Sequence, residues 1–425
     1  MTAPPVHPAP ADTQRLLRAG RAKDLAAHLA AFGPRPSVDP AFVEVVERSG
    51  LRGRGGAGFP TGRKMAAVAA ARGRAVIVAN GCEGEPVSSK DRALLGLAPH
   101  LVLDGADAAA DALGADEITI AVHRGDPTVA TLRAAIAERV ADRLVARVVE
   151  IPPRYVASEE SSLVNFINTG LARPTAKPPR PFERGVRGRP TMISNVETLA
   201  HLALIARFGA AWFRTAGTAD SPGTTLVTVS GAVRRAGVRE VALGTTLGAV
   251  LDLAGGPSTT CQALLVGGLG GGWLPARRAA GVRLAHDDLR AAGGTLGVAS
   301  IVALPATACG VTETARIAHY LAGESARQCG PCMFGLPAVA ADLAALAHGT
   351  GDLRGNLERL HRRLGLLPGR GACGHPDGFA RFVGGALETF ADDFRDHSRG
   401  RRCPWGTRPS LAVPATGDPT PGGWR

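Results

Sequence analysis

The order of apolar and polar positions divides the chain into three textures. Residues 41–48 carry apolar side chains at helical spacing and predict a helix. Arg74-Ala-Val-Ile-Val-Ala-Asn80 is an apolar run of strand length, and Glu117-Ile-Thr-Ile-Ala-Val-His123 and residues 146–151 repeat it. Helical patterns over 92–113 and 127–144 separate these strands, the second with Pro127 at its start, where a missing N–H costs little. Such alternation predicts βαβ units and a mainly parallel sheet. Residues 172–190, dense in Pro, Arg and Gly, predict a long loop. From residue 223 the runs shorten and Gly turns appear, with strands at 224–230, 237–241 and 262–266 and a helix at 247–253. The pattern is helical again over 313–322, 335–347, 353–364 and 378–395. A long uncharged run, 291–312, is long enough to raise a membrane span, but its Gly, Pro, Ser and Thr residues favour a buried strand–loop–strand. The expected divisions are a flexible leader with one short helix (1–37), an α/β domain (38–215), a small β-rich module (220–305), a helical domain (306–397) and a loose tail (398–425).

Charge changes this picture less than it first suggests. The 425 residues include 49 Lys plus Arg against 37 Asp plus Glu, a formal charge of +12 that invites a nucleic-acid partner. Only four of the basic residues are Lys, however, and Ala, Gly, Pro and Arg are all abundant, as a GC-rich genome produces. No basic stripe interleaves with aromatics, so nucleic acid is not expected as a partner. Each remaining Lys is instead a candidate for a position that a planar guanidinium cannot fill. The N-terminus has no basic segment followed by an apolar one, so a cytoplasmic chain with reduced thiols is expected. Among seven Cys, the grouping of Cys329, Cys332 and Cys373 suggests ligation.

Candidate chemistry lies in five further segments. The loop Arg52-Gly-Arg-Gly-Gly-Ala-Gly-Phe-Pro-Thr-Gly62 contains Gly53-x-Gly55-x-x-Gly58, with Arg54 and Lys64 as nearby cations. Glycines let backbone N–H groups converge on a phosphate, although the loop follows a helix rather than a strand, and a plain flexible loop is equally compatible. Asn80-Gly-Cys-Glu-Gly-Glu-Pro86 follows the first strand, where ligands of parallel sheets sit; it is either a polar turn or a grip on a flavin. Glu159-Glu160 follows the third strand and could simply complement a helix dipole. Asn195-Val-Glu-Thr-Leu199 starts a helix, and Lys177 lies in the Pro-rich loop.

Taken together and in this order, these motifs resemble the NADH-binding flavoprotein subunit of respiratory complex I and its relatives in NAD-linked hydrogenases and formate dehydrogenases. The resemblance spans roughly 45–395. It implies a Rossmann-like FMN domain, a ubiquitin-like β-grasp module and a helical domain with a [4Fe–4S] cluster. It further implies that Gly53, Arg54, Gly55, Gly56 and Lys64 cradle the FMN phosphate and ribityl chain. Asn80, Glu83, Glu159, Glu160, Asn195 and Thr198 would surround the flavin, while Phe59, Glu85 and Lys177 match positions associated with NADH. The implied activity is electron transfer between NAD(P)H or a ferredoxin-like carrier and a partner subunit.

The departures are specific. Cys82 replaces an acid at the flavin. Ala67 and Arg180 stand where two aromatic surfaces for NADH are expected, which makes FMN better supported than NADH. In Glu324-Ser-Ala-Arg-Gln-Cys-Gly-Pro-Cys332 the first cluster ligand has become Ala326. Cys329, Cys332 and Cys373 remain, with Cys309 the expected fourth ligand and Cys403 and His375 as weaker choices. A three-iron cluster, a solvent-ligated iron, structural zinc, a redox thiol pair and no metal are the other options. The alternative function is a non-catalytic interaction module of the same fold.

Overall fold

A computed structural model of the chain describes residues 14–18, 20, 23–139, 145–401, 403–406, 408–417 and 420–425. Helices α1 (Leu25–Phe32) and α2 (Phe42–Ser49) lead into the Gly-rich loop, which ends at α3 (Thr61–Ala69). There follow β1 (Val76–Asn80), α4 (Lys90–Leu97), α5 (Pro99–Leu113), β2 (Ile118–His123), α6 (Thr128–Ala137), β3 (Arg147–Ile151), α7 (Glu160–Thr169), β4 (Thr191–Asn195) and α8 (Val196–Phe213). The strands form an all-parallel sheet in the order β3-β2-β1-β4. Central β1 is buried on both faces, which is why it is a continuous apolar run rather than an alternating one. The single helical pattern at 92–113 is two helices, broken at Ala98 because Pro99 has no N–H to continue the ladder. The pattern over 127–144 resolves into α6, which ends at Ala137; residues 140–144 lie outside the described residues. The apolar pattern does not predict β4, a five-residue strand that runs directly into α8.

β2 and β4 flank β1 on opposite sides, so the chain order reverses between β1 and β4. A crevice opens there beyond the carboxyl ends of the strands. Asn80 and Asn195, each at the end of its strand, are register partners across it.

The second sheet comprises β5 (Thr224–Gly231), β6 (Gly237–Ala242), β7 (Cys261–Val266), β8 (Gly272–Pro275) and β9 (Ser300–Pro305), in the order β6-β5-β9-β7-β8. Helices α9 (Leu247–Leu253), α10 (Ala276–Ala279) and α11 (His286–Ala291) accompany it. The uncharged run 291–312 supplies one strand, the central β9, rather than two; the loop before it carries Gly293, Gly294 and Gly297. Four-residue β8 is too short for the pattern to mark.

The last part packs α12 (Gly310–Gly323), α13 (Leu336–His348), α14 (Leu353–Leu364), α15 (His375–Thr389) and α16 (Ala391–Ser398). The helix expected over 378–395 divides at buried Phe390, whose ring fills the space beside Gly310. Pro331–His348 is long and apolar enough to cross a membrane. In this fold its Leu336, Val339, Leu343 and Leu346 form part of the helical core.

The described parts of both terminal segments pack more tightly than their compositions suggest, whereas residues 1–13 of the expected leader lie outside the described residues. Backbone N–H groups of Arg15, Leu16 and Leu17 donate to the Glu240 carboxylate at 2.9–3.1 Å. The tail buries Leu411 in the helical core and Trp424 against Val156 and Ala326, with the Arg154 guanidinium 4.4 Å over the Trp424 ring. A few large apolar side chains outweigh the composition, because each buries enough surface to offset ordering the segment.

Candidate functional site

Two cavities of about 360 Å³ and 490 Å³ meet at the β1–β4 crevice, each of a size that suits a bound cofactor. They share Gly55, Ala57, Asn80, Ser158, Glu159 and Asn195. The first continues past Glu83 and Glu85 to Cys373; the second continues to Lys64, Glu160 and Lys177. All the expected cofactor residues line one cavity or the other, except Arg54.

The crevice is built by polar groups that hold one another. Asn195 caps α8 by accepting from the Glu197 N–H at 3.0 Å, and its amide donates to Asp91 at 2.7 Å. The Asn80 amide donates to the Ser158 carbonyl at 2.9 Å, and its oxygen accepts from the Cys82 N–H at 3.1 Å. A Cβ at Gly55 would lie 3.2 Å from the Asn195 Cβ, so the loop approaches β4 more closely than most residues allow. Gly84 is tighter still: a Cβ there would meet Ser158 Oγ and the Tyr155 carbonyl at 2.6 Å. Glu159 caps α7, and Lys177 joins it at 2.6 Å and Glu160 at 2.8 Å. Burial would lower the Lys177 pKa, but these two carboxylates hold it above the ordinary lysine value. Burial likewise lowers Lys64, against the pull of Glu160. Beside Lys64, at the start of α3, Thr61 turns a buried hydroxyl with no hydrogen-bond partner into the second cavity. An unpartnered donor, a cation and a helix start fit a phosphate.

Burial pushes the Glu83 and Glu85 carboxyls up to about 7. Glu83 accepts from Ser88 Oγ at 2.7 Å and from the Asp91 and Arg92 N–H groups at the start of α4. Glu85 accepts from Tyr155 Oη at 3.1 Å and from the Leu269 N–H at 2.9 Å, and so ties the crevice to the second sheet.

Arg54 corrects the phosphate expectation. Its side chain is buried beneath the loop, donates to the carbonyls of Pro222 and Thr224, and lies 3.9 Å from Glu197. Burial lowers its pKa to about 10, against the pull of Glu197. Only its backbone N–H serves the site, by donating to Thr198 Oγ1 at 2.9 Å. Below lies a cluster the sequence only hints at through the scarcity of Lys. Lys90 is fully buried, 2.6 Å from Asp91, 2.9 Å from Glu197 and 3.2 Å from Asn195 Oδ1. Burial opposes its charge, but Asp91 and Glu197 prevail and hold its pKa above the ordinary value.

Ala67 and Arg180 both line the second cavity, as expected, but Phe182 lines it with them and supplies an aromatic face two residues beyond Arg180. Phe59 adds a second ring, half exposed at the rim.

Of the four expected metal ligands, Cys329 and Cys373 both neighbour Cys332. Burial raises the Cys332 thiol, and the neighbouring thiols Cys329 and Cys373 raise it further. Burial also pushes Cys373 up to about 11. Soft sulfur donors brought close together fit a thiophilic metal cluster. At the lost ligand position, Ala326 packs against Trp424 and Val156, while adjacent Ser325 brings its buried hydroxyl against Cys332. Cys309 takes different partners, His397 and Cys403, and so does not complete this set. Burial would raise its thiol, but the hydrogen bonds it shares with His397 and Thr312 bring it to about 7. His375, a weaker choice, points Nε2 at the Leu321 carbonyl at 2.8 Å. Glu324, in the same motif, crosses to the first domain: Arg154 Nε lies at 2.9 Å and the Tyr155 N–H at 3.1 Å.

Comparison with known proteins extends this geometry. Residues 46–204 match the Nuo51 FMN-binding domain, 226–268 the SLBB domain, and 312–397 the NADH-ubiquinone oxidoreductase-F iron-sulfur binding region. An NADH-quinone oxidoreductase-F protein of Rhizobium meliloti is 34% identical over 382 residues, covering 86% of this chain and 90% of the relative. The HndC component of the NADP-reducing hydrogenase of Solidesulfovibrio fructosivorans is 30% identical, covering 87% and 78%. Among solved structures, an NAD+-reducing [NiFe]-hydrogenase in its H2-reduced state matches with a TM-score of 0.80 at 30% identity, over 95% of this chain and 69% of that one. With an FMN-binding domain, an SLBB domain and an iron–sulfur region in this order, the chain belongs to the NADH-quinone oxidoreductase-F family of electron-transfer flavoproteins.

Proposed function

We propose that this chain is the flavin-bearing component of a cytoplasmic oxidoreductase complex, exchanging electrons between a pyridine nucleotide and a partner electron-transfer subunit or ferredoxin-like protein. The observation that carries this reading is Cys373, which belongs to the thiol trio and also forms part of the wall of the crevice cavity. A cofactor seated against Asn80 and Asn195 therefore has a cluster ligand within its own cavity. FMN, when bound, supplies the conversion of a two-electron hydride donor into single electrons, and the protein supplies placement and tuning.

In this reading Lys64, Thr61 and the backbone of Gly53, Gly55 and Gly56 hold the phosphate and ribityl chain. Asn80, Glu83, Asn195 and Thr198 position the ring system, and Glu159 and Glu160 shape its far side through Lys177. Phe59 and Phe182 offer stacking faces for a nicotinamide nucleotide, with Arg180 beside them. Glu85 closes the cavity toward the second sheet. Cys329, Cys332 and Cys373 hold the cluster.

The test is an anaerobic titration of the purified full chain. A flavin spectrum that NADH bleaches, followed by an iron–sulfur EPR signal, is expected. A flavin reduced by dithionite but untouched by NADH and NADPH would leave the ferredoxin-like carrier as donor. Protein lacking both flavin and iron would reject the reading.

A further inference from the structure

Cys309, His397 and Cys403 come together from three separate places: the start of α12, the last turn of α16 and the tail beyond it. Their donor atoms all lie within 4.8 Å of one another. Cys309 and His397 are buried, and Cys403 is partly exposed, leaving a route for an ion. We propose that these three residues form a zinc-class metal site, separate from the Cys329–Cys332–Cys373 set, that fastens the tail to the helical domain.

Three observations carry this assignment. First, the histidine is oriented as a ligand. Its Nδ1 lies 2.9 Å from the Leu346 carbonyl, which can only accept, so the neutral ring carries its hydrogen on Nδ1. The Nε2 lone pair then faces the Cys309 sulfur at 3.5 Å. A backbone carbonyl that fixes the tautomer in this way is the usual support behind a metal-bound imidazole. Second, the spacing suits the ion. Zn–S bonds of about 2.3 Å and Zn–N bonds of about 2.0 Å at tetrahedral angles place sulfur and nitrogen about 3.5 Å apart. Third, the Cys309 sulfur caps α12 by accepting the Thr312 N–H at 3.4 Å, which fixes its direction toward His397 and Cys403. Two sulfurs and one imidazole leave a fourth position for water or for Asp393, one helical turn before His397 on α16.

The consequence for the fold follows from what the tail does next. Beyond Cys403 it runs along α12, where the Ser410 N–H donates to Glu313 and Arg316 donates to the Leu411 carbonyl. It ends with Trp424 packed against Ala326 and Val156. An ion at Cys403 fixes the start of that path.

The experiment uses the full chain, produced with zinc present and purified under reductant. Zinc K-edge absorption is expected to show a first shell of two sulfurs with nitrogen or oxygen, and metal analysis roughly one zinc per chain. Cys309→Ser and Cys403→Ser should each weaken zinc in competition with a chromophoric chelator by at least about tenfold, with iron content unchanged. Cys329→Ser should do the reverse. A shell of three sulfurs, zinc lost on gel filtration, or a Cys309–Cys403 disulfide in the reduced preparation would each overturn the assignment. The absorption spectrum of the unmutated protein decides even if a variant fails to fold.

Discussion

In the crevice at the parallel sheet, most of the ligand-facing groups already have protein partners: Asn195 holds Asp91 and a helix N-terminus, Asn80 holds Ser158, and Lys177 joins two carboxylates. In the helical domain, by contrast, Cys332 and Cys373 are thiols whose ionisation burial opposes and whose neighbours are further thiols, an arrangement that a bound cation would relieve. The crevice is therefore preorganised without its cofactor, whereas the thiol sites gain stability from their metals. Flavin removal should leave the fold intact, and metal removal should loosen the helical part.

Four substitutions bear on this contrast, in decreasing order of effect. Cys373→Ser should reduce iron and labile sulfide by at least about tenfold while flavin is retained, because the crevice does not depend on that sulfur for its shape; full iron content would break the contrast. Lys90→Met leaves Asp91 and Glu197 buried without their cation. It should lower stability by about 3–5 kcal/mol in denaturant unfolding, and a loss under 1 kcal/mol, roughly the value of an exposed pair, would mean that the crevice is not held by buried charge.

Glu85→Gln probes the carboxyl that burial pushes from 4.5 to about 7. Because the folded chain holds this proton where the unfolded chain has lost it, Glu85 favours the fold least at and above pH 7, and stability falls as pH rises from 4.5 to 7. The amide should flatten that fall by roughly 1–3 kcal/mol, read from unfolding curves at the two ends of the window. An unchanged pH dependence would place the titration elsewhere. Ala326→Cys restores a fourth thiol beside Trp424 at a packing cost of roughly 1 kcal/mol. It should sharpen the cluster EPR signal and slow iron loss to a chelator; no change would mean that the main chain there no longer reaches the cluster.

Much of the crevice was legible in the sequence because its residues follow local rules. A polar residue at the end of an apolar strand must lie at a carboxyl end, and an Asn before a helical run caps it. Residues 80, 159 and 195 follow from these rules alone. The Cys329–Cys332 pair stood out by its spacing, and Cys373 only through the family resemblance. Arg54 and Cys309 were misplaced for a shared reason: each lies in a suitable motif, but burial directs the side chain to partners far along the chain, Thr224 for one and His397 for the other.

The sequence by itself determined the order of the three textures, three of the four strands of the parallel sheet and the Gly-rich loop at the crevice, because each is encoded within a few consecutive residues. Only the tertiary structure decided that Asn80 and Asn195 pair at the switch point, that Phe182 joins Ala67 and Arg180, that Lys90 lies beneath the crevice, and that the tail brings Cys403 to Cys309 and His397. These are contacts between residues far apart in the chain. They depend on where whole strands and helices pack, which no local pattern of apolar and polar positions records.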